Sequence, residues 1–290
     1  MIPLVYHDGY DLNIGRHVFP SRKYKLIKER LGRPTVAPQP ASDADILLVH
    51  TKAWMEGLRD GTLRQSELQR LEIPWSAETA KAFRLAAGGT ILAAQLALEH
   101  GGAYNIGGGF HHAFPGHGEG FCAIHDVAVA IRKLNRRAMV VDVDVHHGNG
   151  TAAIFAGQEA VFTLSIHQYN NYPAVKPPSD CDLHLSDGVG DEEYLSTLRP
   201  ALISALDTHK PEILFYVAGA DPYEQDQLGG LRLTIEGLRR RDELVLGEAR
   251  RRRIPFVVTL AGGYARDVND TVTIHANTYL QANTGLPATA

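Results

Sequence analysis

The sequence predicts an α/β protein, a three-layer α/β/α arrangement around a mostly parallel sheet. Three observations carry that expectation. Short apolar, β-branched runs recur: ILLVH (46–50), AYNIGGG (103–109), MVVDVDV (139–145), VFTLSI (161–166), ILFYVAGA (213–220) and FVVTLAGG (256–263). Helix-period segments lie between several of them, such as AIHDVAVAIRKLNR (123–136) and EYLSTLRPALISALDTH (193–209). Strands apolar on both faces and alternating with helices belong in a parallel sheet covered on both sides. Third, chemically active residues gather where the runs end. His111 and His112 follow the second run, Asp144 and His146 end the third, Ser165 to His167 the fourth, Asp221 the fifth and Tyr264 the sixth. Open parallel sheets bind ligands outside the carboxyl ends of their strands, so these residues are expected on one rim.

The chain has 290 residues and no repeat, low-complexity segment or linker, so one domain over 1–290 is expected. Hydrophobic residues make up 44% and charged residues 21%, the balance of an ordinary soluble domain. A core of that size needs no metal to hold it together, so a bound metal would serve chemistry. A net charge of −4 offers no general grip on nucleic acid. The clusters Arg239–Arg241 and Arg250–Arg253 read as a solvated helix face. Two cysteines, Cys122 and Cys181, make neither a disulfide framework nor a Cys-x-x-Cys zinc pair. The start MIPLVYHDGYDLNIG lacks a basic-then-apolar leader, and no apolar run approaches about 18 residues. The expectation is a cytoplasmic protein without membrane partners. Nothing in the sequence fixes an oligomeric state.

The segment Asp142-Val143-Asp144-Val145-His146-His147 carries the strongest chemical signal. On a strand, Asp142, Asp144 and His146 would share one face and His147 the other. Two carboxylates and an imidazole on a buried strand are costly unless compensated. Asp144 and His146 suit zinc, with donor distances of about 2.0–2.2 Å, though a hydrogen-bonded Asp–His pair explains the hexapeptide equally well. Asp221, placed directly after another apolar strand, tips the balance. It supplies a third ligand and leaves a position open for water, whose pKa such a zinc lowers toward about 7.

His111 and His112 follow Gly107-Gly108-Gly109-Phe110, and glycines let a chain approach a ligand closely. Imidazoles there suit proton transfer. Tyr264, after Gly262-Gly263, suits hydrogen bonding to an oxyanion. The segment HQYNNYPAVKPPSDCD (167–182) reads as a long loop and a substrate wall. The remaining histidines, His167 among them, lack ligand spacing, and His147 reads as support for the core. Cys122 reads as a small buried hydrophobe.

Four blocks, GGGFHHAFPGHGEGFCAIHD, VVDVDVHHGNGT, YVAGADPYEQDQLGGL and TLAGGYARD, resemble signature blocks of the histone deacetylase family in their order and spacing. HGNG, DQLGGL followed by RDELV, and LLVHTKAW are most similar to the class IV branch and its bacterial relatives. The resemblance implies an arginase-like fold with an eight-stranded parallel sheet. It implies one Zn2+ per chain, with Fe2+ as the alternative metal, on Asp144, His146 and Asp221. His112 would be general base and then acid, His111 an electrostatic partner, and Tyr264 the donor to the scissile carbonyl. Asp142 would stand behind His111, and Asn149 behind His112 where many relatives carry Asp. Gly120 and Phe121 would line the channel for the acyl-lysine stem, with Gly262 and Gly263 also on the substrate side. Asp142, Asp144, His146 and Ser165 match a monovalent-cation site for K+ or Na+.

The expected activity is hydrolysis of an N-acyl-lysine amide by metal-activated water, with small acylated amines such as acetylpolyamines as the alternative substrates. The class IV resemblance adds tolerance of long fatty acyl chains. Two rivals remain. A two-metal ureohydrolase would need carboxylates where this chain has Gly148 and Tyr223. A non-catalytic acyl-lysine binding protein would not need the full set of ligands with Tyr264.

Overall fold

The computed structural model describes residues 1–284. Seven parallel strands form one sheet: β1 (Leu4–Val5), β2 (Gly102–Asn105), β3 (Ala138–Asp142), β4 (Val161–Gln168), β5 (Cys181–Leu185), β6 (Ile213–Val217) and β7 (Phe256–Thr259). Their order is β1-β2-β7-β6-β3-β4-β5. The eight strands implied by resemblance thus become seven among the described residues. β3, β6 and β7 occupy the middle and are buried along their whole length. That is the fate expected of apolar runs such as AMVVD and ILFYV, which have no polar face to offer water.

Helices flank the sheet in two groups. The long α5 (Ala77–His100) packs on β1, β2 and β7 and against α6 (Asp126–Leu134). The second group is α8 (Asp191–His209), α9 (Ile235–Arg251), α10 (Val268–Asn283) and α1 (Lys23–Leu31). Here α9 lies between α8 and α10, and α8 covers β4 and β5. Local signals set the limits of α5: the Ser76 side chain accepts from the Thr79 N–H, and Gly101 closes the last turn in the left-handed region. None of the described helices is long and apolar enough to cross a membrane.

Three sequence expectations are corrected. ILLVH is not a strand. Ser42 and Asp45 form a reciprocal capping box that starts a short helix, α2 (Asp43–Ile46), and the chain then turns with Leu47 and Leu48 exposed. The run 139–145 is a strand only to Asp142. Beyond it, Asp142 Oδ1 accepts from the Asp144 N–H at 3.2 Å, and Asp144 Oδ1 from the His146 N–H at 3.0 Å. These carboxylates take backbone donors that a ladder would use, so the regular strand ends at Asp142, although Val143 N–H still donates to the Val217 carbonyl and the Val145 carbonyl still accepts from Gln168 N–H. Asp144 and His146 therefore meet through a turn and not through strand alternation. Finally, Arg241 is not solvated. It is fully buried, pairs with Asp242 at 2.9 Å and donates to the Gly219 carbonyl at 2.7 Å. Arg239 and Arg240 remain on the surface with glutamate partners.

Candidate active site and metal cluster

The carboxyl ends of β2, β3, β6 and β7 bring the predicted residues together. His146 Nδ1 lies 2.9 Å from Asp144 Oδ1 and 3.4 Å from Asp221 Oδ2. Donor atoms of Asp144, His146 and Asp221 all fall within 4.8 Å of one another, and all three residues are buried. Backbone amides fix the outer oxygens: Val145 N–H donates to Asp221 Oδ1, and Gly262 N–H to Asp144 Oδ2, both at 2.8 Å. Asp221 Oδ2 is buried with no hydrogen-bond partner. A side chain at position 262 would run into that oxygen, so glycine is required there.

This cluster fits a divalent cation. Burial, reinforced by the Asp144 charge, pushes the Asp221 carboxyl up to about 7. Burial disfavours a charged His146, yet Asp144 and Asp221 overcome it and lift its pKa to about 10. The His146 Nδ1 proton thus serves Asp144 alone, with Asp221 Oδ2 farther off at 3.4 Å. A cation bound in its place satisfies the same lone pairs and the orphaned Asp221 oxygen. Two carboxylates and one imidazole are a donor set zinc accepts.

The two adjacent histidines separate in character. His111 Nδ1 stands 2.7 Å from Asp142 Oδ2, and burial of the ring is outweighed by Asp142 and Asp144, which raise His111 to about 9. His112 Nδ1 stands 2.7 Å from Asn149 Oδ1. Burial, followed by the charges of His111 and His146, holds His112 well below the ordinary imidazole range. One imidazole is kept charged and its neighbour neutral, with ring centroids 4.0 Å apart.

A cavity of about 190 Å³ opens above them, lined by His112, Gly120, Phe121, His146, Tyr172 and Tyr264, with Glu72, Asn171 and Leu228 completing the wall. Gly120 and Phe121 line it as the resemblance implies, and so do Asn171 and Tyr172 from the segment 167–182, whose first two and last two residues belong to β4 and β5 and not to a loop. Gly262 and Gly263 are not among the residues that line it; Gly262 abuts the Asp144 and Asp221 carboxylates, and Gly263 abuts Ala220, Thr271 and His275. The Tyr264 ring centroid is 6.3 Å from that of His146. Burial and the nearby aspartates keep its phenol protonated far into the alkaline range. Ser165 pairs in register with Asp142, and its hydroxyl meets His167 Nδ1 at 2.9 Å.

Four contributors escaped the sequence reading. Asp226 accepts from the Tyr264 N–H at 2.6 Å and so sets the turn that presents the phenol. Lys23 Nζ donates to the carbonyls of Ala261 at 2.7 Å and Gly262 at 3.1 Å, and burial lowers its pKa to about 8. The Tyr172 ring packs edge-on to His112, with centroids 4.9 Å apart. Glu119 accepts from the Asn149 amide at 2.5 Å and from the Tyr172 hydroxyl at 3.3 Å. Asp226 lies in DPYEQDQLGG, Tyr172 in the segment read as a substrate wall and Glu119 in GGGFHHAFPGHGEGFCAIHD, but none was singled out; Lys23 had no signal.

Residues 17–279 match the family model for the histone deacetylase domain. An uncharacterized protein of Picosynechococcus is 41% identical over 94% of this chain and 96% of its own. Histone deacetylase 2 of Arabidopsis thaliana is 31% identical over 91% of this chain and 75% of its own. Among solved structures, acetylpolyamine aminohydrolase from Burkholderia pseudomallei superposes with a TM-score of 0.81 at 20% identity, covering 98% of this chain and 99% of that one. The HDA15 HD domain gives 0.79 at 21%, covering 97% and 91%. These structures share the arginase/deacetylase-like fold, and with the match over most of its length the chain belongs to the histone deacetylase family.

Proposed function

We propose that this chain is a zinc-dependent amidohydrolase that cleaves the amide of N-acyl-lysine, acting as a single catalytic domain. The observation that carries this is the meeting, at the foot of one narrow cavity, of the Asp144–His146–Asp221 cluster, a neutral His112, a charged His111 and the Tyr264 phenol. A divalent cation held by the cluster supplies Lewis acidity toward an acyl carbonyl and a water. His112, neutral and with Nδ1 engaged by Asn149, directs Nε2 as the base that accepts a proton from water and returns it to the leaving amine. Tyr264 donates its hydroxyl to the developing oxyanion. His111, kept charged by Asp142, adds a positive charge beside that oxyanion. Gly120, Phe121 and Tyr172 hold the acyl-amine stem and exclude water.

Small acylated amines are the second reading. Glu72 on the cavity wall, with Glu119 behind Tyr172, suits a cationic amine, and the solved acetylpolyamine aminohydrolase shares the fold. The deciding experiment compares acetyl-, octanoyl- and myristoyl-lysine peptides with N-acetylputrescine on zinc-loaded protein. Turnover of long-chain peptides at least equal to acetyl is expected. Preference for the diamine would select the second reading, and no turnover on any of them would leave a binding protein.

A further inference from the structure

A second group of potential ligands lies outside the catalytic cavity. β4 and β5 pair in parallel, with Ser165 opposite Asp182 and His167 opposite His184. Because side chains alternate along a strand, these four share one face at the edge of the sheet. His147, from the turn after β3, reaches into the same patch. Its Nε2 lies 3.2 Å from Asp182 Oδ1, and its ring centroid 4.6 Å from that of His167. His167 Nε2 in turn lies 2.9 Å from His184 Nδ1.

We propose that His147, His167 and Asp182 form a second metal site, selective for a first-row transition cation such as Zn2+ or Co2+, with His184 beside it. Donor atoms of the first three residues all lie within 4.8 Å of one another. Two imidazoles and one carboxylate suit these cations, whereas Mg2+ and Ca2+ prefer all-oxygen shells. His147 and His167 are fully buried, so a cation meets ligands already held in place. Access comes from the other side, where a cavity of about 600 Å³ is lined by Tyr169, Lys176, Asp182 and His184. Occupancy ties the turn that carries His146 to β4 and β5, because His147 is the next residue. The site is separate from the catalytic cluster, so two metals per chain here do not make a two-metal hydrolase.

The test is a Co2+ titration of the metal-free full chain, read by bound metal after gel filtration, by Co2+ visible absorption and by Tm. Wild type should bind two Co2+. Asp221→Ala should keep one and still gain Tm on adding Co2+, since a cation that binds only the folded state stabilises it. His167→Gln and Asp182→Asn should each keep one, with deacylase activity retained. Circular dichroism identifies any variant that fails to fold, and the other then decides. One Co2+ in wild type with none in Asp221→Ala overturns the second site and leaves the catalytic reading intact. Unchanged stoichiometry in both His167→Gln and Asp182→Asn overturns it as well. Two Co2+ retained by Asp221→Ala would instead count against the catalytic ligand set.

Discussion

The Asn149 amide nitrogen donates to Glu119 Oε1 at 2.5 Å, and that one bond orients the amide behind His112. A carboxylate only accepts, so the nitrogen of Asn149 must face Glu119 and its oxygen must face His112. An oxygen at Asn149 Oδ1 requires the His112 proton on Nδ1, 2.7 Å away. The lone pair is then left on Nε2, where a base needs it. In the proposed reaction Glu119 thus positions the base through Asn149 without touching a substrate.

Glu119→Gln removes that constraint, because glutamine can present either end of its amide. The expected result is a fall in kcat of about 10–100-fold, the usual cost of losing such an orienting partner. KM and bound zinc should stay near wild type. Glu119→Asp, which keeps the acceptor, should recover part of the loss. An unchanged kcat in Glu119→Gln would show that Asn149 is held by other means.

Asp144→Ala, His146→Ala and Asp221→Ala should each lose the zinc of this cluster, one equivalent relative to wild type, and activity, while the sheet still forms. The core around β3, β6 and β7 is fully buried and makes no use of a metal. Zinc content and circular dichroism of each variant are the measurements. Full zinc in all three would remove the cluster from the mechanism.

Tyr264→Phe should keep zinc and substrate binding and lower turnover by about 10²–10³-fold, the cost of one oxyanion donor. The Asp226 bond to the backbone N–H of Tyr264 holds the turn in either variant, so the ring should stay in place. Turnover equal to wild type would exclude the phenol from the reaction.

What the sequence disclosed follows from where each residue sits. Asp221 and Tyr264 end apolar runs, so the carboxyl-end rule for parallel sheets found them without coordinates. Asp144 and His146 were found for a partly mistaken reason: strand alternation suggested a shared face, but a side-chain-stabilised turn brings them together. Glu119 and Lys23 left no pattern, because their roles depend on a backbone or an amide that is distant in sequence. His147 and His167 read as bland for the same reason, since only the register of β4 with β5 places Asp182 beside them. ILLVH failed because apolar, β-branched content outweighed the local Ser42–Asp45 cap.

Asp142, through His111, should set the alkaline side of the pH profile of kcat/KM. His112 is held well below the ordinary imidazole range, so it is already neutral at pH 7 and its rising limb belongs on the acid side. In the proposed reaction His111 acts while protonated, and its pKa is raised to about 9 against the cost of burial. Activity should therefore fall as pH climbs through that region. Asp142→Asn removes the charge that favours protonated His111, which lowers the pKa of that imidazole. The falling limb must then move to lower pH, and the peak rate must drop as the charged fraction shrinks. The acid limb should move less, because Asp142 faces His111 at 2.7 Å whereas His112 is paired with Asn149. Each limb belongs to the interacting set, so the comparison is made on the whole profile at constant zinc occupancy. A falling limb that stays put or moves to higher pH would mean that Asp142 does not hold the charge on His111.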